Sequence, residues 1–126
     1  MRFMLIDDDL QSLKGLSTAL RFRGYESIQF QNPKEAIKAF KRDAYDIVVT
    51  DYNMPEMNGL EVMQAIQKIS PETMVLVVTG YPEKCTSLIK KNRPQLLFEK
   101  PVNIEEFLEA IKKARNGSAN QIEREC

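Results

Sequence analysis

Short apolar runs alternate along this chain with stretches in which apolar residues recur every three or four positions. That is the rhythm of βα units built around a parallel sheet. Residues 3–6 form the first run and stop at Asp7, Asp8 and Asp9. Leu13, Leu16, Ala19 and Leu20 then keep helical spacing until Gly24 offers a C-terminal stop. Residues 27–30 predict a second strand; Asn32 can cap the next helix, Pro33 suits its first turn, and Ala36, Ile37 and Phe40 supply its stripe. Residues 47–50 predict a third strand ending at Asp51, apolar in the manner of a central parallel strand covered on both faces.

A loop rich in turn formers occupies residues 52–59, and Leu60, Met63, Ile66 and Ile69 mark the third helix. Residues 74–78 make the most continuous strand and lead to Thr79 and Gly80. Pro82 opens a short, weak fourth helix with Leu88 and Ile89, broken at Arg93-Pro94. Residues 96–98 predict a brief fifth strand before Glu99, Lys100 and Pro101; Asn103 with Glu106 then resembles a capping box, and Ile104, Phe107, Leu108 and Ile111 carry the fifth helix to Gly117.

Composition narrows the chemistry. At 126 residues and 43% hydrophobic, the chain is one domain able to build a core without disulfides or structural metal. Eighteen basic residues balance eighteen acidic ones, so no broad basic field exists to bind nucleic acid directly. Histidine is absent, which removes Ser/His/Asp and Cys/His catalysis, His-ligated zinc, and any phosphohistidine carried by this chain. Cys85 and Cys126 form no CxxC pair or disulfide framework, and no apolar run approaches a membrane span or the h-region of a signal peptide. A cytoplasmic protein without a membrane partner is the expectation.

The distinctive polar residues fall at predicted strand ends: Asp7 and Asp8, Asp51, Thr79 and Lys100. In an open α/β sheet the carboxyl ends of the strands form the ligand crevice, so one pocket is expected to receive all five. Two carboxylates about 4 Å apart repel by roughly 4 kcal/mol at an effective dielectric near 20, and a single lysine is insufficient for three of them. Either a divalent cation binds or a pKa rises sharply. With only oxygen donors, the cation expected is Mg2+ rather than zinc. Carboxylates, lysine and threonine around such an ion suit phosphoryl transfer.

Asp7-Asp8, Asp51 within D-Y-N-M-P-x-M-x-G, Thr79-Gly80 and Lys100-Pro101, in this order and spacing, resemble the receiver domain of two-component response regulators. The resemblance covers about residues 2–115. It implies a flavodoxin-like (βα)5 doubly wound sandwich with a parallel sheet of order 2-1-3-4-5, a receiver unit over residues 1–117 and a short polar tail over 118–126. It implies a phosphorylation switch in which Asp51 accepts a phosphoryl group from a sensor histidine kinase or histidine phosphotransfer protein, with no dedicated metabolic activity. Asp8 and Asp51 would ligate Mg2+ directly, Asp7 mainly through water, and Asn53 through its main-chain carbonyl. Thr79 would bond a phosphoryl oxygen and Lys100 would pair with it, next to a cis bond to Pro101. The output would pass to a downstream protein through the face made by the fourth and fifth helices and the fifth strand.

Some residues have plainer uses. Asp9 is expected to cap the first helix, while Met54, Pro55, Met57 and Gly59 are expected to set turn geometry and packing. Leu97 stands where many receivers have an aromatic switch residue, and Phe98 next to it must face the other way. The interval from Thr79 to Lys100 is about one residue shorter than usual. Tyr81 is placed near the mouth of the site, where it either shields the acyl phosphate from water or covers apolar surface; Lys84, Lys90, Lys91 and Arg93 make the fourth helix basic. Because of these departures the rival reading is a pseudo-receiver, a constitutive protein-interaction module. An aspartyl-phosphate phosphatase of the haloacid dehalogenase type needs a second aspartate where this chain has Asn53, and a triply acidic first loop would repel a flavin phosphate.

Overall fold

The computed structural model describes residues 1–80 and 96–116. Five parallel strands, β1 (Arg2–Ile6), β2 (Glu26–Phe30), β3 (Ile47–Asp51), β4 (Met74–Thr79) and β5 (Leu96–Glu99), form one sheet in the order β2-β1-β3-β4-β5. Four described helices pack on it: α1 (Leu10–Phe22), α2 (Pro33–Arg42), α3 (Gly59–Ile69) and α4 (Ile104–Arg115). The expected order 2-1-3-4-5 and the doubly wound α/β class are what is found. The expected helix between the fourth and fifth strands, with Tyr81, Lys84, Cys85, Lys90, Lys91 and Arg93, lies outside the described residues, as do Gly117 and the tail containing Cys126.

The two layers follow from side-chain alternation in central strands that are largely apolar on both faces. In β1, Phe3 and Leu5 join one core cluster with Leu13 and Leu20 of α1 and Phe107 and Ile111 of α4; Met4 and Ile6 join the other with Ala36 of α2 and Met63 and Ile66 of α3. Every residue of β3 and β4 is buried, whereas β2, at the sheet edge, is half exposed. Leu97 and Phe98 face opposite layers as expected, Leu97 packing on the α2 and α3 side and Phe98 against Phe107 with ring centroids 5.1 Å apart. Ile69, expected in the α3 stripe, is instead 41% exposed, because the helix ends where it leaves the sheet.

Caps fix the helix starts that frame the site. Asp9 accepts from the Gln11 amide, as expected, and Asn103 accepts from the Glu106 amide at 3.0 Å. A complete reciprocal capping box sits at α3, where Asn58 accepts from Glu61 N and the Glu61 carboxylate accepts from Asn58 N, both at 2.9 Å. Gly59, the first residue of α3, lies against the end of β3: a Cβ there would stand 2.8 Å from the Asp51 carbonyl oxygen and 3.0 Å from Tyr52 Cα. The neighbours are backbone and cannot turn away. Gly59→Ala is therefore expected to destabilise the fold by about 2 kcal/mol, read from urea unfolding; an unchanged midpoint would show that the loop yields without cost.

Candidate functional site

The carboxyl ends of β1, β3, β4 and β5 meet at one edge of the sheet. Asp7 follows β1; its amide donates to the Phe30 carbonyl at 3.1 Å and its Oδ1 accepts from the Asp9 amide at 2.9 Å, which fixes the direction of the carboxylate. Asp51 is the last residue of β3, in register with Val78, and the Tyr52 amide donates to the Val78 carbonyl at 2.9 Å. Thr79 closes β4, 2% exposed, and its carbonyl accepts from the Lys100 amide at 2.8 Å. That bond carries Lys100 beyond β5 toward the acidic residues, and the peptide to Pro101 is cis.

The Lys100 Nζ lies 2.8 Å from Asp7 Oδ2 and 3.2 Å from Asp51 Oδ1, joining two carboxylates that belong to different strands. Asp8 stands exposed at the rim, and one carboxylate oxygen each of Asp7, Asp8 and Asp51 lies within 4.8 Å of the other two. Asn53 is exposed on the loop after β3. Of the residues expected at the site, Asp7, Asp8, Asp51 and Lys100 are thus brought together, with Thr79 on the adjoining strand end and Asn53 two residues beyond Asp51.

Burial and charge act unequally on this group. Burial is the main cause that raises the Asp51 pKa from 3.8 to about 6, helped by the negative charges of Asp7 and Asp8 and opposed by the charge and hydrogen bond of Lys100. For Lys100 burial pulls downward, but the hydrogen bond to Asp7 and the charges of Asp51 and Asp7 outweigh it and hold the ammonium above its ordinary value. One ammonium among three ionised carboxylates leaves a net charge of about minus two. The donors are carboxylate oxygens close enough to share one ion, a set that fits a hard divalent cation such as Mg2+. The ensemble has a buried carboxylate that can attack, an ammonium beside it, and a place for a cation.

Two residues near the site had not been singled out. Ser12 Oγ donates to Asp9 Oδ2 at 3.1 Å and lies 3.5 Å from Lys100 Nζ; its position three residues after a helix cap was the available signal. Glu56 adopts φ 74° in the loop after β3 and lies 3.9 Å from Lys34 Nζ. Nothing about a glutamate announces that backbone, which asparagine or glycine adopts more readily.

Residues 3–112 match the family model of the response regulator receiver domain. Among curated proteins, the transcriptional regulatory protein GlrR of Escherichia coli (strain K12) is 29% identical over 117 residues; the match covers 92% of this chain and 26% of that protein, so the chain spans about a quarter of it. Sporulation initiation phosphotransferase F of Bacillus subtilis (strain 168) is 26% identical over 113 residues, covering 89% of this chain and 91% of that one. Among solved structures, the response regulator protein TrrA from Thermotoga maritima, in complex with Mg(2+)-BeF, superposes with a TM-score of 0.80 at 30% identity, over 89% of this chain and 96% of that chain.

Proposed function

Because the chain belongs to the response regulator receiver domain family, in which phosphorylation-dependent signalling is the shared activity, we propose that Asp51 is its phosphoacceptor and that the acidic cluster works with Mg2+. The observation that carries this reading is the single ammonium of Lys100 held 2.8 Å from Asp7 and 3.2 Å from Asp51. A group so placed pairs with carboxylates before transfer and can meet a phosphoryl group on Asp51 afterwards. The donor is the phosphohistidine of a sensor histidine kinase or a histidine phosphotransfer protein, since this chain has no histidine of its own.

A carboxylate oxygen of Asp51 forms the new O–P bond while the P–N bond of the donor breaks and its imidazole departs with the electron pair. Asp7, Asp8, Asp51 and the Asn53 carbonyl would hold Mg2+, which supplies charge neutralisation to the phosphoryl oxygens when bound. Lys100 neutralises a further oxygen, and Thr79 donates its hydroxyl to another. The donor set fits the ion, and the TrrA neighbour carries Mg(2+)-BeF. Within residues 1–117 the chain acts as the receiver unit, signalling to a downstream protein. Among the described residues no helix is long and apolar enough to cross a membrane, in keeping with a cytoplasmic role.

Incubation with acetyl phosphate and Mg2+, followed by intact-mass measurement, is expected to show one phosphoryl increment. The increment should vanish in Asp51→Asn and when Mg2+ is chelated. A wild-type chain that gains no mass under these conditions would instead be a pseudo-receiver, the reading that Leu97 favours by filling an expected aromatic position with a packed aliphatic side chain.

A further inference from the structure

The Lys100 ammonium has three N–H donors to place. Asp7 Oδ2 takes one at 2.8 Å, and Asp51 Oδ1 stands 3.2 Å away for another. The third acceptor is Ser12 Oγ at 3.5 Å, on an early residue of α1, an element that carries none of the clustered carboxylates. Ser12, Asp7 and Lys100 are the polar side chains lining a cavity of about 500 Å3, whose remaining walls are apolar and include Leu13, Leu16 and Val102. On that side, among the described residues, no other side-chain oxygen besides Asp7 can receive an N–H of the ammonium.

The serine hydroxyl is itself oriented. It donates to Asp9 Oδ2 at 3.1 Å, so its proton is committed and its lone pairs are left for Lys100. Asp9 is held in turn: its Oδ1 accepts from the Gln11 amide at 3.1 Å, and its own amide donates to Asp7 Oδ1 at 2.9 Å. These bonds close a ring that runs from Lys100 through Asp7, Asp9 and Ser12 back to Lys100. Asp51 is the ammonium's partner outside the ring.

A neutral oxygen at 3.5 Å is a weak acceptor beside two carboxylates, so Ser12 adds little to the charge balance. Its effect is directional. Resting on the reading of Asp51 as phosphoacceptor, we infer that Ser12 is a positioning residue: with Asp7 it anchors the Lys100 ammonium, so that one N–H stays aimed at Asp51 while the carboxylate becomes an acyl phosphate. The ammonium then exchanges a single partner during transfer, an Asp51 oxygen for a phosphoryl oxygen, and keeps the other two. Ser12 acts only through Lys100.

Uptake from acetyl phosphate at saturating Mg2+, followed by intact mass, should slow roughly three- to tenfold in Ser12→Ala. Ser12→Thr, which keeps the hydroxyl and has the cavity to receive its methyl group, should restore the rate. Both variants should stay folded, since Ser12 is half-buried and alanine suits a helix better than serine. In a Lys100→Met background Ser12→Ala should cost nothing further, a coupling that a merely structural serine would not produce. The ammonium also gives a readout without metal or phosphodonor: nitrogen NMR of Lys100 should show its protons exchanging with water several-fold faster in Ser12→Ala, because one N–H has lost its acceptor. An unchanged uptake rate in Ser12→Ala, a threonine variant as slow as the alanine one, full slowing without Lys100, or unchanged ammonium exchange would each overturn the inference. A parent chain that takes up no phosphoryl group would overturn the reading of Asp51 instead, and the ammonium exchange would then decide on Ser12 by itself.

Discussion

Lys100→Met is expected to slow phosphoryl uptake from acetyl phosphate roughly 10²-fold and to destabilise the metal-free fold by about 3 kcal/mol at neutral pH. Both effects come from one group. The ammonium bonds Asp7 at 2.8 Å and Asp51 at 3.2 Å while its own side chain is only 26% exposed, so water cannot replace it fully. Methionine keeps the length and the apolar stem but leaves two buried carboxylates facing each other without a counter-charge, with Asp8 adding a third. Without Lys100 to hold it down, Asp51 takes up its proton above the parent's value of about 6, so the loss of stability should shrink as pH falls toward 6, and should be partly reversed by Mg2+. The loss in rate should persist at saturating Mg2+, because the cation does not occupy the place of the ammonium beside the incoming phosphoryl group. Urea unfolding in chelator and intact-mass time courses measure the two effects separately. A variant as stable as the parent in chelator would mean that Lys100 does not balance the cluster.

Much of this site was legible in the sequence for a geometric reason. Strands β1, β3 and β4 read as apolar runs because both faces of a central parallel strand are covered, and the residue at which each run stops must lie at the ligand edge of the sheet. Asp7, Asp51 and Thr79 were placed by that rule alone, and the need to balance carboxylates pointed to Lys100. Features set by contacts between distant segments were not legible. The pressure of Gly59 against the Asp51 carbonyl exists only after α3 has docked on β3, and the same glycine in sequence suggests no more than an entry into a helix. Ile69 keeps the period of the α3 stripe yet extends past the sheet, since periodicity gives the face of a helix and not the extent of what covers it. The Asn58 and Glu61 box has the spacing of a helix start, three residues apart, and is legible from that spacing.

Asp51→Asn should do the opposite of Lys100→Met in the absence of metal and stabilise the fold. The folded-state pKa of Asp51, about 6, lies above the ordinary value of 3.8. Between those values the folded chain holds a proton that the unfolded chain has released, so stability falls as pH rises through this window and stays at the lower level above it. The contribution of the protonated group is complete below 3.8 and lost above about 6. The amide keeps the shape and one oxygen but never ionises, so it removes a penalty of roughly 3 kcal/mol at neutral pH, equivalent to a rise in melting temperature of about 10–15 °C. Below pH 3.8 the two proteins should melt together. Mg2+ near saturation should invert the order: an ion that binds only the native state adds about 4.1 kcal/mol at a thousandfold excess over its dissociation constant, and the variant has given up one of the three carboxylates that attract it. A melting temperature for Asp51→Asn below that of the parent in chelator, well above pH 6, would contradict the cost of ionising Asp51 among its buried neighbours. Persistence of the variant's advantage in saturating Mg2+ would show that the cluster does not bind the ion through Asp51.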